Sequence, residues 1–159
     1  MWNQPHISVI TKVMIYRAVV ISTVLYGSEC WTCTKNEYEK LNIFNTKRLR
    51  IILGMRRDEI SNKELYKATG MPKLADLVRK NRLRWAGHVR RIEDDKRWPK
   101  RILFGELKRK GTARRGAPDM DWDRCLKEDC ERISVIHSHW REKAKDRVWW
   151  RSQLLSLNS

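Results

Sequence analysis

The sequence predicts an all-α chain: several helices in an irregular bundle, interrupted by a flexible basic loop. Three observations carry that expectation. Apolar residues recur at three- and four-residue spacing along most of the 159 positions, and no segment shows convincing strand alternation. Two Ser/Thr-x-x-Glu patterns, Thr34/Glu37 and Ser61/Glu64, mark helix starts. Gly54 and Gly70 stand where the periodic runs stop.

Ile7 to Tyr26 reads as the first helix, with Gly27 as its stop. Its apolar residues, from Val9 and Ile10 through Val19, Val24 and Leu25, cover almost every face. Such a helix needs burial on most sides, either at the centre of the bundle or against protein outside this chain. Thr34 opens a second helix whose apolar side is Tyr38, Leu41, Phe44, Leu49, Ile52 and Leu53. Ser61 opens a short third helix through Thr69, followed by the turn Gly70-Met71-Pro72. Leu74, Leu77, Val78, Trp85, Val89 and Ile92 mark a fourth, roughly 30 Å long at 1.5 Å per residue. Residues 93–118 hold Pro99, Gly105, Gly111, Gly116 and Pro118 and read as irregular. Trp122, Cys125, Leu126, Cys130 and Ile133 give a further helix. A last one is expected from about Ser138 to Leu155, with Trp140, Ala144, Val148 and Leu155 inward.

Charge points to function. The chain has 35 Lys/Arg against 19 Asp/Glu, a net of +16. A surplus that large repels itself in the folded state and is most often matched to a polyanion. It is concentrated: Arg79 to Arg115 holds 15 Lys/Arg and 4 Asp/Glu, a net of +11. On the fourth helix, Arg79, Lys80, Arg82, Arg84, Arg90 and Arg91 fall largely off the apolar stripe, and acids are nearly absent beside them. These six are the expected phosphate-binding face. Lys108, Arg109, Lys110, Arg114 and Arg115, in a Gly-containing run, are the expected second, mobile arm. Eight Trp is a high count, and tryptophan serves both cores and base stacking. Trp85 is expected in the core, and Trp149 or Trp150 to be exposed.

Catalytic patterns are missing. A polymerase gathers two or three carboxylates round Mg²⁺; Asp94-Asp95 instead reads as a solvated helix end. Asp119, Asp121 and Asp123 read as acids at the start of a helix, complementing its dipole. There is no P-loop and no nucleophile elbow. Cys30-Trp31-Thr32-Cys33 has half-site zinc spacing, but Cys125 and Cys130 are poorly spaced for the other half. The expectation is therefore no cofactor, no metal and no enzymatic activity of this chain. Residues 1–26 lack the charge pattern and cleavage site of a secretory leader, and Lys12 and Arg17 interrupt the apolar run. A nuclear or cytoplasmic chain with reduced thiols and no membrane association is expected.

Two longer patterns are more specific. One is Leu25-Tyr26-Gly27-Ser28-Glu29-Cys30-Trp31 followed by Leu49-Arg50-Ile51-Ile52-Leu53-Gly54. The other is Arg82-Leu83-Arg84-Trp85-Ala86-Gly87-His88-Val89-Arg90-Arg91 followed by Phe104-Gly105-Glu106-Leu107. With Arg114-Arg115-Gly116-Ala117-Pro118, Trp122 and Asp146-Arg147-Val148-Trp149-Trp150-Arg151, their order and spacing resemble the C-terminal region of reverse transcriptases encoded by non-LTR (LINE-type) retrotransposons. Ala117 and Asp119 depart from that family's more basic loop. The resemblance implies a parent RNA-directed DNA polymerase whose palm and endonuclease lie in other sequence. It implies a division into residues 1–54 and 55–159, in which residues 7–54 match the end of a thumb and connection and residues 60–155 match a basic extension. Expected partners are RNA or DNA and the parent's palm. Two other functions fit the residues. Residues 62–69 and 73–92 have the proportions of a free-standing helix-turn-helix module, and a basic helical bundle also suits an adaptor for an acidic protein.

Overall fold

A computed structural model of the chain describes residues 4, 6–94, 96–103 and 121–158. Among them every regular element is helical, and no helix is long and apolar enough to cross a membrane. The chain forms two compact units, residues 1–28 with 33–78 and residues 29–32 with 79–159. The division between them falls after Val78, within a helix.

In the first unit, α1 (Val9–Ile15) runs into a π-helical segment (Tyr16–Ile21) and then α2 (Ser22–Val24). The Ser22 and Thr23 hydroxyls donate to the carbonyls of Ala18 and Val19, drawing those acceptors out of the regular ladder. The wider turn has a packing consequence. Tyr16 and Ile21 are both buried, yet residues five apart lie about 140° apart on an unbroken α-helix. Only one side of this segment is covered: Ile10, Met14 and Val19 are exposed, where the sequence suggested burial nearly all round.

α3 (Lys35–Leu53) begins at the Thr34/Glu37 capping box and ends at Gly54 with φ +69°, as the sequence predicts. α4 (Asn62–Thr69) has the second box, Ser61/Glu64, and stops at Gly70 with φ +60°. α3 organises the unit. Asn45 on it accepts from the Tyr16 hydroxyl (3.0 Å) and donates to the Pro72 carbonyl (3.3 Å). Arg50 donates to Asn62 at 2.6 Å. Leu49, Ile52, Leu65, Met71 and Leu74 close the core round Tyr16 and Ile21.

α5 (Leu74–Arg90) begins in this unit, where Asn42 accepts from the Ala75 amide (3.2 Å), and its larger part belongs to the second. The second unit continues with α6 (Trp98–Leu103), a short helix in a stretch expected to be irregular. α7 (Trp122–Arg132) follows, capped by Asp121, whose side chain accepts from the Arg124 amide at 2.8 Å. A 3₁₀ turn (His137–His139) leads into α8 (Trp140–Lys143) and then α9 (Arg147–Gln153).

The sequence predicted one helix where α8 and α9 stand. The Asp146 carboxylate accepts from the amides of Val148 and Trp149 and starts a new helix there. The break is what lets Trp140 and Trp150 share one core with ring centroids 6.3 Å apart. On a continuous helix, ten residues would separate them by about 15 Å along the axis. Leu83, Ala86, Leu126, Cys130, Ile133, Ala144 and Leu154 complete that core. Trp150 Nε1 donates to the Leu83 carbonyl at 3.0 Å. A Cβ on Gly87 would meet the same indole, with Cδ1 at 2.6 Å, so only glycine lets α9 approach α5 this closely.

Candidate nucleic-acid interface

The second unit sorts the basic residues of α5 into three groups. The first is buried. Arg82 has no exposed surface and donates to the Asp129 carboxylate on α7 and to the Trp31 carbonyl, each at 2.5 Å. Arg79 Nε stands 3.6 Å from the other carboxylate oxygen of Asp129, and Arg79 is nearly as buried. Burial is the largest influence on Asp129 and pushes its carboxyl up to about 6, against the opposing pull of Arg82, Arg79 and Arg132. These two arginines were expected to face phosphates. They are instead the internal tie between α5 and α7, and a guanidinium closed off from solvent cannot meet a polyanion without unfolding its surroundings.

The second group secures α8. Arg90 Nε donates to the Arg141 carbonyl (3.0 Å), with its Nη2 3.7 Å from Glu142. Arg91 Nη1 donates to the Ala144 carbonyl at 2.6 Å. Both cations thus hold backbone carbonyls of α8 and its C-cap, Ala144.

The third group faces outward. Lys80, Arg84 and His88 form one stripe of α5, continued by Arg91 just beyond its end, whose guanidinium also holds the Ala144 carbonyl. They line a concave groove of about 1210 Å³ whose other wall is Arg147, Trp150, Arg151 and Leu154 on α9. Arg97, Glu93 and Asp94 line it as well. Six Lys/Arg therefore meet two carboxylates round one depression. The crowding is tangible: burial first, and the charge of Arg147 second, hold Arg91 below its ordinary value. Like charges gathered in a groove raise the local potential for an anion.

Arg147 and Arg151 were not among the expected contacts, although their four-residue spacing beside Trp150 is a readable signal. Lys108, Arg109, Lys110, Arg114 and Arg115 lie outside the described residues, as do Asp95 and Asp119. Asp94 is exposed and accepts from the Lys96 amide at 2.9 Å. Among the described residues no three or more His, Cys, Asp or Glu gather as a metal site. Cys33, Cys125 and Cys130 are buried and Cys30 is exposed.

The tryptophans also differ from expectation. Trp150 is buried and Trp149 half-buried, with Lys143 Nζ 5.2 Å above its ring. Trp85 is half-buried and meets Trp122 edge-on at 5.3 Å. Among the described residues, the exposed indole is Trp98 on α6. A helix-turn-helix module must present the start of its second helix to base edges. Leu74, Ala75, Val78, Arg79 and Arg82 form the buried face of α5, while Asp76, Leu77 and Lys80 near its start are partly open.

These features define a class first: a helical protein with a basic groove on its second compact unit. Comparison with known proteins adds an origin. The chain is 28% identical over 148 residues to a transposon-derived protein of Caenorhabditis elegans. The match covers 87% of this chain and 52% of that protein, so the chain spans about half the length of the relative. The similarity relates this chain to transposon-derived sequence. No family model matches it, and no solved structure does.

Proposed function

We propose that the chain is a non-catalytic, nucleic-acid-binding portion of a non-LTR-type retrotransposon reverse transcriptase. It grips the phosphodiester backbone in the groove between α5 and α9, largely without regard to sequence. The observation that carries this reading is the groove itself. Lys80, Arg84, Arg91, Arg97, Arg147 and Arg151 converge on it from two segments far apart in the chain, residues 80–97 and 147–151, and Glu93 and Asp94 are the acids among its described lining residues. Point cations on two helix walls recognise the regular charge of a strand and carry no base information. The motif order described above and the similarity to a transposon-derived protein support the parentage. Polymerase chemistry belongs, on this reading, to other parts of the parent protein.

The test removes charge without touching the core. A variant with Lys80, Arg84, Arg147 and Arg151 changed to Ala is compared with one in which the exposed Lys35, Lys40, Lys47 and Lys63 are changed to Ala, an equal loss of charge. Binding to two unrelated duplexes and one RNA hairpin is read by fluorescence anisotropy at fixed salt. The groove variant should bind at least about tenfold more weakly on all three, and the control variant far less so. Equal affinity of a folded groove variant and the parent would refute the assignment.

A further inference from the structure

Beside the groove stands a side chain that charge alone does not account for. Trp98 is 64% exposed, although an indole is among the most rewarding side chains to bury. Its position is held, not loose. Lys100 Nζ donates to the Ile92 carbonyl at 2.6 Å, fixing α6 to the segment that leaves α5, and Leu103 packs against the core of the unit. The Arg101 guanidinium lies 4.8 Å from the Trp98 ring centroid and covers one face. Arg97, the residue before it, lines the groove.

We propose that Trp98 is a stacking platform for an unpaired base, and that the preferred ligand of the groove is therefore a single strand, or the single-stranded part of a junction, rather than a continuous duplex. The proposal rests on the phosphate-binding reading of the groove. A duplex turns its phosphates outward and keeps its bases inside, so it has no use for an exposed indole. A single strand offers both: phosphates to the cations and a π-face to the ring, with the stacked arginine strengthening the arrangement. The groove wall fits the same ligand, because Ile92, Leu154 and the exposed Leu155 put apolar surface among its cations. Stacking is tolerant of base identity, so the preference is for strandedness and not for sequence.

Trp98→Ala and Trp98→Phe variants, checked for folding by circular dichroism, are titrated with single-stranded RNA, single-stranded DNA and the corresponding duplex. Trp98→Ala should lose about 5- to 100-fold on the single strands and less than about threefold on the duplex. Trp98→Phe, which keeps a smaller ring, should fall between parent and Ala. The RNA and DNA arms report whether the sugar matters. Unchanged single-strand affinity in Trp98→Ala, or equal loss on strand and duplex, would overturn the proposal. The groove variant described above separates the two readings. If it binds weakly while Trp98→Ala binds normally, the stacking role fails alone; if it binds normally, the phosphate grip fails.

Discussion

Arg82 stands between Val78 and Trp85 at the spacing of the apolar stripe of α5, and Asp129 stands between Leu126 and Ile133 on α7 in the same way. Two polar residues in two apolar stripes are the sequence signature of a buried pair. Their opposite charges, 2.5 Å apart, offset a desolvation cost that neither group could meet alone. Removing one partner is therefore the severe change. Arg82→Met should destabilise the fold by roughly 3–5 kcal/mol near pH 7, because it strands the Asp129 carboxylate. The loss should shrink as pH falls. The folded carboxyl, raised to about 6, takes up its proton before an unfolded aspartate near about 3.9 does, and losing Arg82 raises it further. Denaturant melts at pH 8 and pH 5 measure this; a loss of equal size at both would contradict it. The thiols give a second residue-scale expectation. Cys30 should react rapidly with a thiol reagent in the native protein while Cys33, Cys125 and Cys130 are protected, Cys130 doubly so because burial pushes its thiol up to about 12. Counting modified residues by mass spectrometry before and after unfolding decides it.

At the scale of elements, the approach of α9 to α5 hinges on Gly87. Alanine is the better helix former by about 1 kcal/mol, so at an exposed position Gly87→Ala would stabilise. Here its methyl would collide with the Trp150 ring and disturb the Trp150–Leu83 hydrogen bond. Overpacking of this kind costs about 1–3 kcal/mol. Net destabilisation is expected, seen as a lower denaturation midpoint; an unchanged or higher midpoint would show that α9 shifts freely. The capping boxes of α3 and α4 illustrate the opposite case. Their signals are contained within four residues, so sequence placed both helix starts correctly. The break between α8 and α9 depends on two tryptophans meeting in three dimensions, which helical periodicity alone does not announce.

For the whole molecule, the net charge of +16 predicts that binding is governed by counterion release. If about four to six phosphates are neutralised in the groove, affinity for a single strand should fall with salt at a log–log slope of about −3 to −4. The groove variant should flatten that slope by about 0.7 for each lost contact. A salt titration from low to physiological ionic strength measures both. A slope near zero would mean that the charge surplus serves something other than a polyanion.

The sequence by itself determined the helical class, the start and stop of α3 and α4, the concentration of basic charge and the likeness to a transposon-encoded protein. Each of these is written in local patterns: periodicity, caps, glycine stops, motif order. It also contained the row Lys80, Arg84, His88 and Arg91, although charge alone did not separate that row from Arg79 and Arg82. Only the tertiary structure decided which face meets Asp129 and which meets solvent. The same step brought Arg147 and Arg151 opposite Arg84 and left Trp98 exposed while Trp150 is buried. Whether a cation serves the core or the surface depends on what packs against it, and those partners lie 47 residues away in sequence for Arg82 and 53 for Arg91.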